Sequence, residues 1–96
     1  MHLIRAVLTR RDFGECGERD VAGLTDAVWA HAAGHEGLEH IRGRLSRGGV
    51  DLVLFFRESC DRSPEQRAAD LIDRVYRDSP FVNSVFQQPG TCRELR

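Results

Sequence analysis

Residues 38–57 set the pattern of the chain: LEHIRGRL, a short SRGG turn, then VDLVLFFR. Two strand-like runs flanking two glycines read as a β-hairpin. The second run is apolar on both faces, with Val50, Leu52, Leu54 and Phe56 on one and Val53 and Phe55 on the other. A strand of that kind is expected in the interior of a sheet. Residues 2–9, HLIRAVLT, predict a first strand around Arg5, and residues 10–19 predict a polar loop. Asp20 is placed to cap a helix running to Ala33, with Val21, Leu24, Val28 and Ala32 at helical spacing and Trp29 beside them. Gly34 and Gly37 then end it.

After a link at 58–62, Ser63-Pro64-Glu65-Gln66 is a strong helix start: a capping hydroxyl, proline at the first helical position, and Gln66 where it can complete a capping box. Ala68, Leu71, Ile72, Val75 and Tyr76 form the apolar face, while Asp70 with Arg74 and Asp73 with Arg77 are spaced as outer-face ion pairs. Pro80 stops the helix. Residues 81–87, FVNSVFQ, predict a last strand, and residues 89–96 a loose tail. The chain, 1–96, reads as one α+β domain.

The predicted order is β-α-β-β-α-β. With right-handed crossovers this is the ferredoxin-like plan: a four-stranded antiparallel sheet, strands ordered 4-1-3-2, with two helices on one face. The other face is left open. Since the third strand carries Val53 and Phe55 there, a cover is expected, and a second copy of the chain is the simplest one. A homodimer packed through its sheets is therefore predicted.

Composition narrows the function classes. A net charge of −1 argues against a general nucleic-acid binder. All fourteen basic residues are arginine, which excludes a Schiff-base or Walker-type lysine within the chain. No stretch approaches the ~20 apolar residues of a membrane span, and MHLIRAVLTRR lacks a signal-peptide layout, so no membrane association and a cytoplasmic location are expected. Cys16, Cys60 and Cys92 are an odd set without a CxxC pair, and reduced thiols are the expectation.

The topology gathers His2, His31 or His35, His40, Cys60 and Cys92 at one pole of the sheet. His31 and His35 are four apart, with Glu36, Glu39 and His40 close behind, but the glycines interrupt the helix and HEGLEH matches neither HExxH nor HxxEH. No metal and no other cofactor is expected. Cys60 precedes the Ser63 cap, where a thiolate is favoured. His31, His35, His40 and Cys60 are the candidate ligand or site residues. Arg10, Arg11 and Arg19 could hold an anion before the first helix, but Asp12, Glu15 and Glu18 offset them. RNA-recognition domains share the predicted topology, yet the first strand here has no aromatic residue and VDLVLFFR lacks their pattern. Trp29, Phe55, Phe56, Phe81 and Phe86 read as core or as the lining of a pocket.

Two functions follow from different classes. The first is a small non-catalytic accessory or regulatory protein that binds a partner protein or small ligand. The second rests on residues 37–57, where GLEHIRGR followed by VDLVLFFR resembles the small dimeric α+β barrel enzymes of the antibiotic-biosynthesis monooxygenase type. That resemblance implies a cofactor-independent oxygenase or isomerase with an apolar pocket and His40 or His31 as base. Those enzymes usually carry a histidine-bearing segment after the third strand, and ESCDRSPEQ has none.

Overall fold

Alternation along the first strand decides the layering. In β1 (His2–Thr9), Ile4, Ala6 and Leu8 are buried while Arg5, Val7 and Thr9 are exposed. In the computed structural model, which describes residues 1–58 and 62–95, with His35 described by its backbone alone, the other elements are α1 (Glu18–His31), a 3-10 turn (Gly34–Glu36), β2 (Leu38–Ser46), β3 (Gly49–Phe56), α2 (Pro64–Asp78), α3 (Pro80–Val85) and β4 (Arg93–Glu94). The sheet order is β2-β3-β1-β4, and every neighbouring pair is antiparallel. Among the described residues, no helix is long and apolar enough to cross a membrane.

β3 lies in the interior, as its apolar run predicted. Val50, Leu52, Leu54 and Phe56 are fully buried and meet Ile4, Ala6 and Leu8 of β1 in one cluster with Val21, Leu24 and Val28 of α1, Leu71 and Val75 of α2, Val82 of α3, and Phe86. The core therefore fills the space between the sheet and its helices. The hairpin turns at Arg47–Gly48, with Gly48 in the left-handed region at φ 74°. Such a conformation is open to glycine at little cost.

α1 begins earlier than its pattern suggested. Gly17 is the N-cap, and Asp20, expected to be the cap itself, sits in the first turn with its carboxylate accepting the Gly17 N–H at 2.8 Å. Its charge still faces the positive end of the helix. α2 starts as predicted: Ser63 Oγ accepts from the Gln66 N–H at 3.1 Å, with Pro64 in the first turn. The Gln66 side chain does not turn back to the cap but donates to Asp70 at 3.0 Å. Of the two expected ion pairs, Asp73–Arg77 forms at 3.2 Å, whereas Arg74 leaves Asp70 to Gln66 and Arg62 and reaches toward α1.

The predicted strand over 81–87 is a helix over most of its length. Pro80 both ends α2 and opens α3, because Ser79 Oγ accepts from the Val82 N–H at 3.3 Å and restarts the helical register. Val82 and Phe86, four apart, are both fully buried. A short apolar run fits a strand or a helix equally well, and the Ser-Pro start tips the balance. Among the described residues the fold thus has three α-helices rather than two. The fourth strand falls in the segment read as a loose tail: Arg93–Glu94 pairs with β1, and the Leu95 N–H donates to the Leu3 carbonyl at 2.8 Å. Burial of Cys92 holds this segment down. Of the five aromatics read as core or pocket lining, only Phe56 and Phe86 are fully buried; Phe55 is half-buried, and Trp29 and Phe81 are 45% and 37% exposed.

Candidate binding surface

Of the residues expected at one pole, His31 and His40 lie on opposite sides of the sheet. His31 ends α1 on the helix side of the sheet and is half-buried; its backbone carbonyl accepts two bonds from the Arg74 guanidinium, at 2.9 and 3.3 Å. His40 is exposed on the opposite, open face, its ring 5.2 Å from Phe55 at 60°. His35 lies in the 3-10 turn, and Cys60 lies outside the described residues. Among the described residues, no group of three or more His, Cys, Asp or Glu side chains is arranged to hold a metal ion.

What the pole does contain is a structural polar network that the sequence pattern missed. Glu36, 4% exposed, accepts from the Ala33 N–H at 2.7 Å and from Arg74 at 2.5 Å. Arg67, equally buried, donates to the carbonyls of Glu36 at 2.9 Å and Arg57 at 3.1 Å while its guanidinium lies 5.1 Å from the Phe56 ring centre. Gly37, at φ 75°, leaves room for this, since a Cβ there would come within 2.9 Å of Arg57. The two arginines tie the 3-10 turn to α2. Arg74 is spaced as an outer-face partner of Asp70, and helical spacing does not reveal which loop packs over a helix.

A second network joins β1 to its neighbours. Both nitrogens of the His2 ring face carboxylate oxygens, Glu94 at 2.5 Å and Glu58 at 2.9 Å, and the protonated ring donates to both. The bond to Glu94 is the main reason the His2 pKa stands above its ordinary value, with Glu58 adding to it against desolvation. Glu58 is in turn held below the usual carboxylate range by the Met1 amine and by His2. This cluster depends on the pairing of residues 93–94 with β1, which the local sequence pattern of the tail does not signal.

Of the three arginines considered for an anion, two are engaged internally, Arg10 with Asp12 at 2.8 Å and Arg11 with the Asn83 carbonyl at 2.7 Å and the Tyr76 hydroxyl, while Arg19 lies exposed in the first turn of α1.

The open face of the sheet carries the most unusual arrangement. Strand register lines up Arg42, Val53, Arg5 and Arg93 in one row across all four strands. The adjoining rows are Arg44, Asp51 and Val7 on one side and His40, Phe55 and Leu3 on the other. Asp51 is 5% exposed and lies under the guanidinium of Arg5, which donates to both its oxygens at 2.9 and 3.0 Å, with Arg44 at 3.7 Å. The Arg5 guanidinium is stabilised in its charged form by this bond. Four arginines thus stand on one face, of which Arg5 and Arg44 share the Asp51 carboxylate, interleaved with Leu3, Val7, Val53 and Phe55. A chain of net charge −1 has gathered a surplus of positive charge on one face. Planar guanidinium forks beside apolar and aromatic side chains can grip carboxylates while burying apolar area.

Surface clefts flank the segment before β4. One, of about 250 Å³, is lined by Arg5, Val7, Gly90, Thr91 and Arg93; two others, of about 200 and 360 Å³, run between α2 and residues 88–92 past Cys92. None of the three is lined by His31 or His40. Burial raises the pKa of the Cys92 thiol, which favours its neutral form. In comparisons with known proteins, the chain matches no family model, no curated protein and no solved structure.

Proposed function

We propose that this chain is a small non-catalytic accessory protein that binds an acidic partner protein through the open face of a ferredoxin-like sheet. The observation that carries the reading is the set of four arginines, Arg5, Arg42, Arg44 and Arg93, brought onto one face by the strand register, with only Arg5 and Arg44 paired to the Asp51 carboxylate and with Val53 and Phe55 between them. Arginine and aromatic residues are the side chains enriched at protein interfaces. An exposed guanidinium–carboxylate pair contributes only about 0.2–1 kcal/mol, so affinity comes from several such pairs together with apolar burial, and the charges set partner choice and encounter rate. The free thiols Cys16 and Cys92 suit a reducing compartment such as the cytoplasm.

The test is the binding of a labelled Glu-rich peptide containing one aromatic residue, followed by fluorescence anisotropy at low and high salt. The wild type is expected to bind, with affinity falling as salt rises. Arg42→Glu together with Arg44→Glu, both on exposed positions, is expected to weaken binding at least ~10-fold with an unchanged circular dichroism spectrum. Binding that ignores both salt and the double substitution overturns the reading. A single-stranded oligonucleotide that binds more tightly than the peptide also overturns it.

Self-association through the same face is a second reading, supported by the half-buried apolar pair Leu3 and Phe55 in adjacent register. It would bring two surplus-positive faces together, so sedimentation would show a dimer favoured by added salt, the opposite dependence to the acidic partner.

A further inference from the structure

The outer edge of β1 has one missing rung. Hydrogen bonding along β1 alternates sides: the Arg10 N–H donates to the Gly48 carbonyl next to β3, so even-numbered residues bond inward, and Leu3, Arg5, Val7 and Thr9 bond outward. Four outward positions find partners. Leu3 accepts from Leu95, Arg5 pairs with Arg93, Thr9 accepts from the Gln87 N–H at 2.8 Å, and Arg11 donates to the Val85 carbonyl at 2.9 Å. Val7 alone among these has no backbone partner among the described residues, because residues 88–92 arch away from the sheet between the Phe86 bridge and β4. The arch leaves the cleft of about 250 Å³ lined by Arg5, Val7, Gly90, Thr91 and Arg93.

The charges around this notch are unbalanced. Arg5 and Arg93 stand directly opposite each other across the β1–β4 pair. Like charges so placed repel each other. Arg5 is partly neutralised by Asp51. Arg93, which is exposed, makes no ion pair among the described residues.

We infer that the notch receives one acidic residue of the partner in extended conformation. Its backbone supplies the missing rung to the N–H and C=O of Val7, and its carboxylate sits between the guanidinium groups of Arg5 and Arg93. This deepens the proposed function and rests on it. A residue of an extended chain is the occupant that answers every unpartnered group at once: it accepts from the Val7 N–H, donates to the Val7 carbonyl and supplies the negative charge. A free oxyanion would answer the N–H and the guanidinium groups but would leave the carbonyl facing another acceptor.

The experiment follows the Val7 amide by 15N-resolved NMR and its hydrogen exchange, with the Glu-rich peptide, inorganic phosphate and acetate as separate titrants. The peptide is expected to shift the Val7 amide in a saturable way and to slow its exchange at least ~10-fold, and Arg93→Gln is expected to weaken peptide binding by about the same factor. Phosphate and acetate are expected to shift the amide weakly without slowing exchange. If the peptide binds in a manner that depends on Arg42 and Arg44 but leaves Val7 exchange unchanged, the notch assignment is wrong and the binding surface stands. If phosphate protects Val7 and the peptide does not, the site takes a free oxyanion and the assignment to a partner's chain is overturned. If the peptide does not bind the wild type at low salt, the binding surface fails and the notch with it.

Discussion

Asp51 is the residue on which the open face turns. Its side chain is almost entirely covered by the arginine that neutralises it, and that arginine is itself half in solvent. Removing the carboxylate frees Arg5 to be solvated, so the cost stays moderate. Asp51→Asn is expected to lower the urea unfolding free energy by about 1–2 kcal/mol. The same change adds one uncompensated positive charge to the face, so binding of the acidic peptide should tighten as stability falls. Opposite signs in the two measurements separate the electrostatic role from a general loss of structure.

Gly49 offers a sharper steric test. A Cβ there would lie 2.1 Å from the Leu8 carbonyl oxygen, a backbone atom that cannot swing aside. Gly49→Ala is expected to destabilise by about 2 kcal/mol or more in chemical denaturation.

His2 gives a pH dependence whose sign follows from its partners. Its pKa is raised above 6.5 in the fold, so the stabilisation it provides is complete below 6.5 and is lost as pH rises through the raised value. Glu58, lowered from 4.5, contributes stability that is present above 4.5 and lost as pH falls through its folded value. The melting temperature of the wild type should therefore decline relative to His2→Asn as pH rises from 6.5 through the raised folded value, and the two curves should run parallel once His2 is neutral in both states. A difference between them that does not change with pH would show that the His2 cluster stabilises by packing alone.

Among the elements, α3 and β4 determine how the chain closes. α3 is only six residues long and depends on its cap and on the burial of Val82. Ser79 caps it from a buried position. Ser79→Ala is expected to cost about 1–2 kcal/mol, at the upper end for a cap because the freed Val82 N–H has no water at hand, whereas Ser63→Ala at the exposed start of α2 should cost about 1 kcal/mol or less. Thermal or urea unfolding of the two variants side by side checks the ordering. β4 is shorter still, with two paired residues held by the Leu3–Leu95 bond, the buried Cys92 and the Glu94 contact to His2. With so few ties, it is expected to exchange its amides faster than β1 and β3, which hydrogen-exchange mass spectrometry would show.

Taken together, the layers divide labour between the two faces of the sheet. The helices and the even-numbered residues of β1 make the core, and the odd-numbered residues of β1 with their counterparts on β2, β3 and β4 make a surface rich in arginine. Periodicity alone was enough to read β1, the hairpin, both long helices and the Ser63 cap, because each depends on contacts within a few residues. The run VDLVLFFR also placed β3 inside the sheet, since a strand apolar on both faces suits an interior position better than an edge. What periodicity could not read depends on partners distant in sequence. FVNSVFQ became a helix because Ser79 and Pro80 restart the register and the core accepts Val82 and Phe86 one turn apart. Two residues of the tail became a strand because β1 had a free edge. His31 and His40, expected at one pole, lie on opposite faces, as a pole drawn in two dimensions ignores which side of the sheet a residue occupies. The arginine row has the same origin. Arg5, Arg42 and Arg93 are scattered over the chain and look like isolated surface charges until the strand register sets them side by side. Charge at a position is a property of the residue, whereas charge density is a property of the packing.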